Sequence, residues 1–397
     1  MKGVFKLKQH ETNIRKEVIA GLTSFFSIVY ILAVNGKILE DAGIPLEAGI
    51  IATVLSSFIG CLLVAFIANA PLIIVPGMGI NALFTFTIVG SLGLDYKEAL
   101  GAVVLSGILF VIVAFTRLHS ILTRAIPDSL KESISVGIGL FIAFIGLQKS
   151  GIVVGSPTNF VSLGELSSPI VLASIINLII ALFLFLKKIP GNFLITIILG
   201  TIVSYFFGLV DFTGMDTSFI SFESYKDVFL SSHFGKWSFL PFWSAVFSLV
   251  LVLVFENIGL VHSQVNGMLQ APEKSGKSLK AISISTIVCG LFGTSPAVST
   301  VETAAGITTG GRTGLTSVVT GSLLLLSLFF MPFIKLVPET AITPILIIIG
   351  GLMMKNVVNI DFSDFTEAFP AFLVIIMIPL TYSIVDGIAF GFIAYPL

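Results

Sequence analysis

Apolar stretches of about 20 residues recur from one end of this chain to the other, and they constrain its fold more than any other feature. A helix needs about 20 mostly apolar residues to cross ~30 Å of hydrocarbon. Charged residues make up 11% of the 397 residues and the mean hydropathy is +1.07, whereas soluble domains carry about 25% charged residues. The stretches do not alternate as barrel strands of about 10 residues would. The sequence therefore predicts an all-α polytopic membrane protein in a lipid bilayer.

The apolar stretches predict about 14 transmembrane spans, and the longest polar interruption, 211–241, divides them into two sets of seven. The first set lies in 1–210. The second lies in 242–397, where the last span is expected to be truncated because it stops without a polar tail. An odd number of spans in each half means opposite insertion, which is the inverted-repeat plan of many secondary transporters. The predicted spans are 17–39, 46–68, 74–91, 98–116, 131–148, 169–186, 191–210, 242–263, 279–293, 297–311, 313–334, 340–354, 368–382 and 384–397.

The distribution of positive charge predicts the orientation of these spans. When successive spans alternate in direction, most of the 21 Lys and Arg residues fall on one side. Cytoplasmic loops carry such an excess, so this side is expected to face the cytoplasm. An even number of spans then places both termini in the cytoplasm and the 211–241 loop outside, for a multi-pass protein of the cytoplasmic (inner) membrane.

The third span of each half is abnormal, since it mixes Pro, Gly and small polar residues at mid-membrane depth. In the first half it reads APLIIVPGMGINALFTF (70–86), and in the second GTSPAVSTVETAAGITTGG (293–311). Pro76 lacks an N–H donor, and Gly77 and Gly79 permit unusual backbone angles. Each segment is predicted to be an extended stretch followed by a half-helix that begins near the midplane. Matching interrupted spans in two halves are the best sequence indication of a transport site.

Two glutamates lie well inside predicted spans, away from their ends, where ionisable groups usually mark a pathway or a polar site. Glu256 lies near the middle of span eight, and it is predicted to accept N–H groups of a polar substrate or to carry a proton. A structural hydrogen bond between helices is the alternative. Glu302 follows Ser299 by three residues, so it matches a capping box, and it either caps its half-helix or meets substrate there. Asn81 either caps the first half-helix or bonds the substrate.

Other chemistries find less support in the residues. The segment ending Gly276-Lys277-Ser278 lacks the first glycine of a P-loop, so direct use of ATP is not expected. The net charge of −1 does not indicate a nucleic-acid partner, and none is predicted. An intramembrane enzyme would need a base or metal ligands within the bilayer. The histidines do not provide them, because they lie outside the predicted span centres, at His10, His119, His233 and His262. No enzyme activity, cofactor or metal is therefore predicted.

The chain resembles the xanthine/uracil permease family, also called nucleobase–ascorbate transporters, and within it the adenine/guanine/hypoxanthine permease branch. The resemblance covers nearly the whole chain in the right order, and it is most specific in the two broken spans. The matching segments are GLTSFFSIVYILAVN (21–35), VPGMGINALFTF (75–86), FENIG (255–259), GTSPAVSTVETAAGITTGGRTGLTSVVTG (293–321) and PAFLVIIMIPLTYSIVDGIAFGFI (370–393).

The resemblance implies a core domain of spans one to four and eight to eleven, and a gate domain of spans five to seven and twelve to fourteen. It places a nucleobase between the two broken spans, held by Glu256 and Glu302. The chain departs from the family in two places. The purine branch commonly has Asp where this chain has Glu256, and the uracil branch has His where it has Leu260. The other residues predicted to contact substrate are Gly79, Ile80, Asn81, Thr300, Val301, Tyr30 and Phe84, with core packing as the alternative for the last two.

The predicted function is the import of purine nucleobases (guanine, hypoxanthine or adenine) by proton symport, with Glu256 and Glu302 as the proton-coupling residues. Sodium coupling is also compatible with the residues, as is a homodimer. The alternatives are a uracil/xanthine permease and an anion carrier of the sulfate or bicarbonate type. Two acids at the site argue against an anion, whereas the N–H groups on a purine edge suit carboxylates.

Overall fold

The computed structural model describes residues 4–116, 118, 126–157, 159–211 and 222–396, and most of them are helical. His119, one of the histidines considered above, lies outside the described residues. The α-helices are α1 (Ile14–Ile28), α2 (Ile31–Asp41), α3 (Leu46–Ile67), α4 (Met78–Ala82), α5 (Tyr96–Phe115), α6 (Asp128–Lys149), α7 (Pro169–Leu186), α8 (Asn192–Phe206), α9 (Glu223–Lys226), α10 (Leu240–Val261), α11 (Ser275–Phe292), α12 (Thr303–Thr308), α13 (Gly314–Leu326), α14 (Met331–Lys335), α15 (Glu339–Met353), α16 (Phe365–Thr381) and α17 (Ile384–Ala394).

Short strands and wider helical turns complete the secondary structure. The strands are β1 (Ile74–Pro76), β2 (Val153–Ser156), β3 (Phe160–Leu163) and β4 (Ala297–Ser299). Two segments have π-helical geometry, Leu83–Ser91 after α4 and His262–Met268 after α10. Such segments are rare and frequently lie at functional sites.

Among the described residues, eight helical segments are long and apolar enough to cross a membrane. Four shorter apolar helices accompany them. The prediction of a mainly helical chain with several membrane-spanning segments is therefore confirmed, while the count of 14 spans and the inverted repeat stay predictions. The eight long segments are Ile14–Asp41, Leu46–Ile67, Tyr96–Phe115, Asp128–Lys149, Pro169–Leu186, Leu240–Met268, Gly314–Lys335 and Glu339–Asn359.

The chain folds as two compact units, and the first is built from Met1–Ala125 and Ile220–Met331. Helix α3 packs against α11, α13 and strand β1, while α5 packs against α10 and α11. Helix α1 packs against α12 and α13. Because α3 contributes small buried residues such as Ala48, Gly49 and Ala52, neighbouring helices approach it closely, as is typical of helices within membranes.

The second unit is built from Ile126–Phe219 and Pro332–Leu397. Helix α6 packs against α15 and α16, α16 packs against α17, and both α7 and α8 pack against α15. The α6–α15 contact depends on glycine, because a Cβ added to Gly350 would lie 2.4 Å from the carbonyl oxygen of Gly139. Strands β2 and β3 pair as an antiparallel hairpin between α6 and α7.

The first predicted span, 17–39, differs from the expectation of one unbroken helix. Helix α1 ends at Ile28 and α2 begins at Ile31. Between them the backbone tightens locally, since the Leu32 N–H donates to the Val29 carbonyl at 3.2 Å, three residues back rather than four. Tyr30 lies at this break and is buried.

Candidate functional site

The two broken spans meet in the first compact unit as a two-stranded antiparallel sheet. Strand β1 pairs with β4 in the register Ile74↔Ser299, Val75↔Val298 and Pro76↔Ala297. Each strand is fully buried and is followed by a short helix, α4 after β1 and α12 after β4. Extended backbone inside a membrane protein must find hydrogen-bond partners within the protein. Pairing the two strands with each other satisfies this requirement.

Glu256 lies on α10 beside the backbone of the first broken span. A Cβ added to Gly77 would lie 3.6 Å from Oε1 of Glu256 and 2.5 Å from Cγ2 of Val298. Glycine at 77 therefore allows the close approach of Val298 on β4, while the carboxylate of Glu256 lies at ordinary contact distance from the same position. Among the described residues, the carboxylate of Glu256 accepts no hydrogen bond. Its oxygens are free to accept donors from a bound molecule.

Glu302 lies in the turn between β4 and α12. The phenolic O–H of Tyr30 donates to its Oε1 at 2.6 Å. Tyr30 reaches this position because the break between α1 and α2 carries it to the second broken span. One carboxylate oxygen of Glu302 is therefore held by the hydroxyl of Tyr30, which is itself among the residues predicted to contact substrate.

The predicted capping box of Ser299 and Glu302 is wrong. Ser299 is the last residue of β4, and its hydroxyl donates to Gln264 instead of capping a helix. Helix α12 begins only at Thr303, with Glu302 at its N-cap position and no side-chain capping bond. The amides of the first helical turn, at Thr303, Ala304 and Ala305, donate to carbonyls of the turn itself. These N–H groups are therefore used within the turn.

Two polar residues that sequence reasoning missed connect the span of Glu256 to β4. The Ser299 N–H donates to Oδ1 of Asn257 at 3.2 Å, and its hydroxyl donates to Oε1 of Gln264 at 2.6 Å. The amide of Gln264 donates to the Thr300 carbonyl at 2.8 Å. Both are buried polar side chains, so their presence in or beside an apolar span was the signal that could have found them.

Asn81 does not cap α4, because that helix begins at Met78 after Gly77. Its Oδ1 accepts a hydrogen bond from the Ser295 hydroxyl at 2.5 Å. Among the described residues its Nδ2 has no partner, although it is buried. Since an unpaired buried donor costs about 1–3 kcal/mol, Asn81 is equipped to donate to a bound molecule.

The remaining predicted site residues lie in different environments. Gly79 is buried, and Ile80 and Phe84 are fully buried, as core packing requires. Thr300 is 9% exposed, and its hydroxyl lies beside the carboxylate of Glu302. Val301 is 64% exposed. The structure thus brings Tyr30, Glu302, Thr300 and Glu256 around the paired strands, while Phe84 and Ile80 occupy packing positions.

A further buried carboxylate in the same unit, Glu17, was not singled out from the sequence. It accepts hydrogen bonds at the start of α13, from the Arg312 N–H at 3.0 Å and the Thr313 N–H at 3.3 Å. The Thr316 hydroxyl adds a third bond at 2.6 Å. Of these donors, the Thr313 N–H is one of the backbone groups that a helix start leaves unpaired. Glu17 therefore joins α1 to α13, and its hydrogen-bonding capacity is used within the fold.

A buried lysine fastens the same region. The ammonium of Lys274 donates to the carbonyls of Asn69 at 2.7 Å and Arg312 at 3.1 Å. Asn69 in turn accepts from the Gly314 N–H at 2.9 Å. Burial lowers the pKa of Lys274 to about 8. This cluster gives the start of α13 a second set of bonds.

Comparison with known proteins identifies the group to which the chain belongs. The sequence model of the Permease family (Xan_ur_permease) matches residues 15–390, nearly the whole chain. This chain belongs to that permease family. The resemblance stated from the sequence is thereby confirmed, and the chain is a transporter rather than an enzyme.

Relatives in the permease family extend over nearly the full length. The nucleobase transporter PlAzg2 of Paenibacillus larvae is 49% identical over 386 residues, which cover 96% of this chain and 77% of the relative. The guanine/hypoxanthine permease PbuO of Bacillus subtilis is 39% identical over 413 residues, which cover 99% of this chain and 93% of the relative. The substrates in these names are those of the relatives.

Solved structures identify the fold of the permease. The transmembrane domain of the cyanobacterial bicarbonate transporter BicA superimposes with a TM-score of 0.70, covering 95% of this chain and 97% of that chain. The two sequences are 17% identical. This likeness shows a shared fold and says nothing about a shared substrate.

Proposed function

We propose that this permease is a secondary transporter that imports purine nucleobases. The observation that carries the proposal is the carboxylate of Glu256, which lies beside the paired broken spans and accepts no hydrogen bond among the described residues. The names of the two relatives, a nucleobase transporter and a guanine/hypoxanthine permease, support the same substrate class.

The chemistry of a purine suits this arrangement of groups. A purine is flat and neutral, and guanine presents two adjacent N–H donors that fit one carboxylate bidentately. Glu256 would accept those donors, Glu302 would accept another from the oxygen that Tyr30 leaves free, and Nδ2 of Asn81 would donate to a ring nitrogen or carbonyl. Each unmatched polar group in such a site costs about 1–3 kcal/mol, so the shape and donor pattern of the base decide which purine is accepted.

A competition panel tests the substrate class. Cells that lack their own nucleobase carriers would express the permease, and uptake of labelled guanine would be measured with unlabelled guanine, hypoxanthine, adenine, xanthine and uracil as competitors. We expect purines to compete and uracil to be weaker. Vector-only cells are the control. Uptake of labelled sulfate or bicarbonate without guanine uptake would instead support the anion-carrier alternative.

We also propose that transport is coupled to protons through Glu256 and Glu302. Acidic side chains within membrane spans form the proton relays of many transporters, and the free carboxylate of Glu256 can hold a proton without breaking a bond to the protein. Guanine uptake is expected to rise as external pH falls and to collapse with a protonophore. Uptake that ignores the protonophore and requires sodium would replace this proposal with sodium coupling.

For the topology, we propose 14 spans in two inverted halves. The protein would lie in the cytoplasmic (inner) membrane, with both termini in the cytoplasm. The first compact unit would be the core domain and the second the gate domain. Support comes from the equivalent positions of the broken spans, the third of each half, and from their strand-then-helix order. Single cysteines added to a background without Cys61 and Cys289 would test this. Membrane-impermeant reagents should label the 222–239 segment from outside and Lys274→Cys only after lysis.

A further inference from the structure

Gln264 uses both ends of its side-chain amide on one short piece of backbone. Its Oε1 accepts from the Ser299 hydroxyl at 2.6 Å, and its Nε2 donates to the Thr300 carbonyl at 2.8 Å. The side chain is 3% exposed. Two opposed bonds fix an amide in position and orientation, so the end of β4 is tied to the π-helical segment that follows α10.

The bonded carbonyl also begins the turn that carries Glu302. The Thr300 carbonyl accepts from the Thr303 N–H at 3.0 Å, which closes the turn around Val301 and Glu302. Gln264 therefore holds the peptide at the base of this turn. A change in its position would move the carboxylate of Glu302 together with the start of α12.

The same stretch of chain also carries Glu256. Asn257, its neighbour, accepts from the Ser299 N–H at 3.2 Å, about two helical turns before Gln264, so the two amides lie near one face. Ser299 is thus bonded at its N–H by one residue and at its hydroxyl by the other. The helix that presents Glu256 is in this way the helix that fixes the segment of Glu302.

We infer that Gln264 is a positioning residue that sets the spacing of Glu302 from Glu256, and through it the choice among nucleobases. The inference rests on the proposed function, since it concerns which base fits the two acids. A merely structural bond would lower the amount of folded protein and leave selectivity unchanged. A positioning role changes the Michaelis constants of different bases to different extents.

Transport by matched variants tests the selectivity. Gln264→Met keeps the length of the side chain and removes both bonds, while Ser263→Ala changes an exposed neighbour and is the control. Because single hydrogen bonds between membrane helices are weak, we expect the KM for guanine to rise about three- to tenfold in Gln264→Met. The ratio of the guanine and hypoxanthine KM values should shift by at least about twofold, with Ser263→Ala like the wild type at equal membrane abundance.

Hydrogen exchange tests the attachment without a substrate. In purified Gln264→Met, the peptide containing Ser299–Ala305 should exchange faster than in wild type, while α3 peptides stay unchanged. If Gln264→Met does not fold, Ser299→Ala removes only one bond and should show the same shifts at smaller size. If the wild type transports guanine but Gln264→Met has the same ratio of guanine and hypoxanthine KM values, the inference is overturned. Unchanged hydrogen exchange of the Ser299–Ala305 peptide in Gln264→Met would overturn it as well. A wild type that transports no nucleobase would instead defeat the proposed function, and exchange would still report on Gln264.

Discussion

Two acidic regions of the first compact unit differ in how many hydrogen bonds their carboxylates already accept from the protein. Glu17, at the start of α13, is 0% exposed and accepts three hydrogen bonds from the protein. Glu256, beside the paired broken spans, accepts none among the described residues. Glu302 lies between these extremes, with one oxygen held by Tyr30. Glu256 and Glu302 are also partly exposed, whereas Glu17 is fully buried. Under the proposed function, both the exposure and the number of donors already supplied separate the binding acids from the structural one.

The physical reason is that a buried carboxylate must recover the hydration that it lost. Glu17 recovers it from two backbone N–H groups and a hydroxyl, so a ligand could only displace bonds that the fold needs. Glu256 is half-buried and accepts no such donor from the described protein, so water, a proton or the N–H groups of a substrate can supply it. Changing one acid or its partner at a time tests this difference between the two regions.

Glu302→Gln should have the largest effect on transport. The amide of the glutamine keeps the shape of the carboxylate but loses its negative charge. Its NH₂ group also replaces an acceptor oxygen, so a donor would face an N–H of the substrate. We expect guanine uptake to fall by about a hundredfold, as the loss of charge-assisted bonds implies, at unchanged membrane abundance. Uptake close to that of the wild type would restrict Glu302 to a structural role like that of Glu17.

Glu256→Gln should separate binding from coupling. Glutamine mimics the protonated acid, so exchange of purine across the membrane is expected to persist while accumulation driven by a pH gradient is lost. Counterflow of labelled guanine and pH-driven uptake, both in liposomes, measure the two activities. If they decline together, or if accumulation survives, Glu256 does not carry the proton.

Glu17→Gln should affect stability and leave recognition intact. One side-chain oxygen remains for the donors at Arg312, Thr313 and Thr316, and an NH₂ group replaces the other. We expect a loss of about 1–3 kcal/mol, seen as a lower midpoint of thermal unfolding, with an unchanged KM for guanine. Glu11→Gln, at an exposed position, is the matched control. A large change in KM without a change in stability would erase the distinction between the two regions.

Tyr30→Phe should have the smallest effect of the four variants when the effects are compared as free energies. The variant keeps the ring and removes the bond of 2.6 Å to Glu302, which frees the second oxygen of that carboxylate. We expect the KM for guanine to change about threefold, because single interhelical hydrogen bonds are weak. A loss as complete as that of Glu302→Gln would show that the tyrosine hydroxyl itself binds substrate.

The parts of the site that depend on residue type were predictable from the sequence, and the parts that depend on long-range packing were not. Glu256, Glu302 and the two interrupted spans were evident because acids, Pro and Gly stand out in apolar sequence. The pairing of β1 with β4 joins residues more than 200 positions apart, and no local pattern specifies that register. The capping box failed because the Ser299 hydroxyl donates to Gln264 and α12 begins only at Thr303.

Glu17 was missed for a related reason. It follows Arg15 and Lys16 at the polar end of the first apolar run, where an acid is usually solvated. Only the packing of α1 against α13 buries it. Its role could not be inferred without the distant segment at 312–316 that supplies its donors.

The most direct test of the difference between the two regions is the dissociation constant of guanine for purified protein in detergent. It would be measured with labelled guanine for the wild type, Glu302→Gln and Glu17→Gln. We predict about a hundredfold weaker binding in Glu302→Gln and a change of less than about threefold in Glu17→Gln. Equal weakening in both variants, or weakening confined to Glu17→Gln, would contradict the assignment of the binding acid to the paired broken spans.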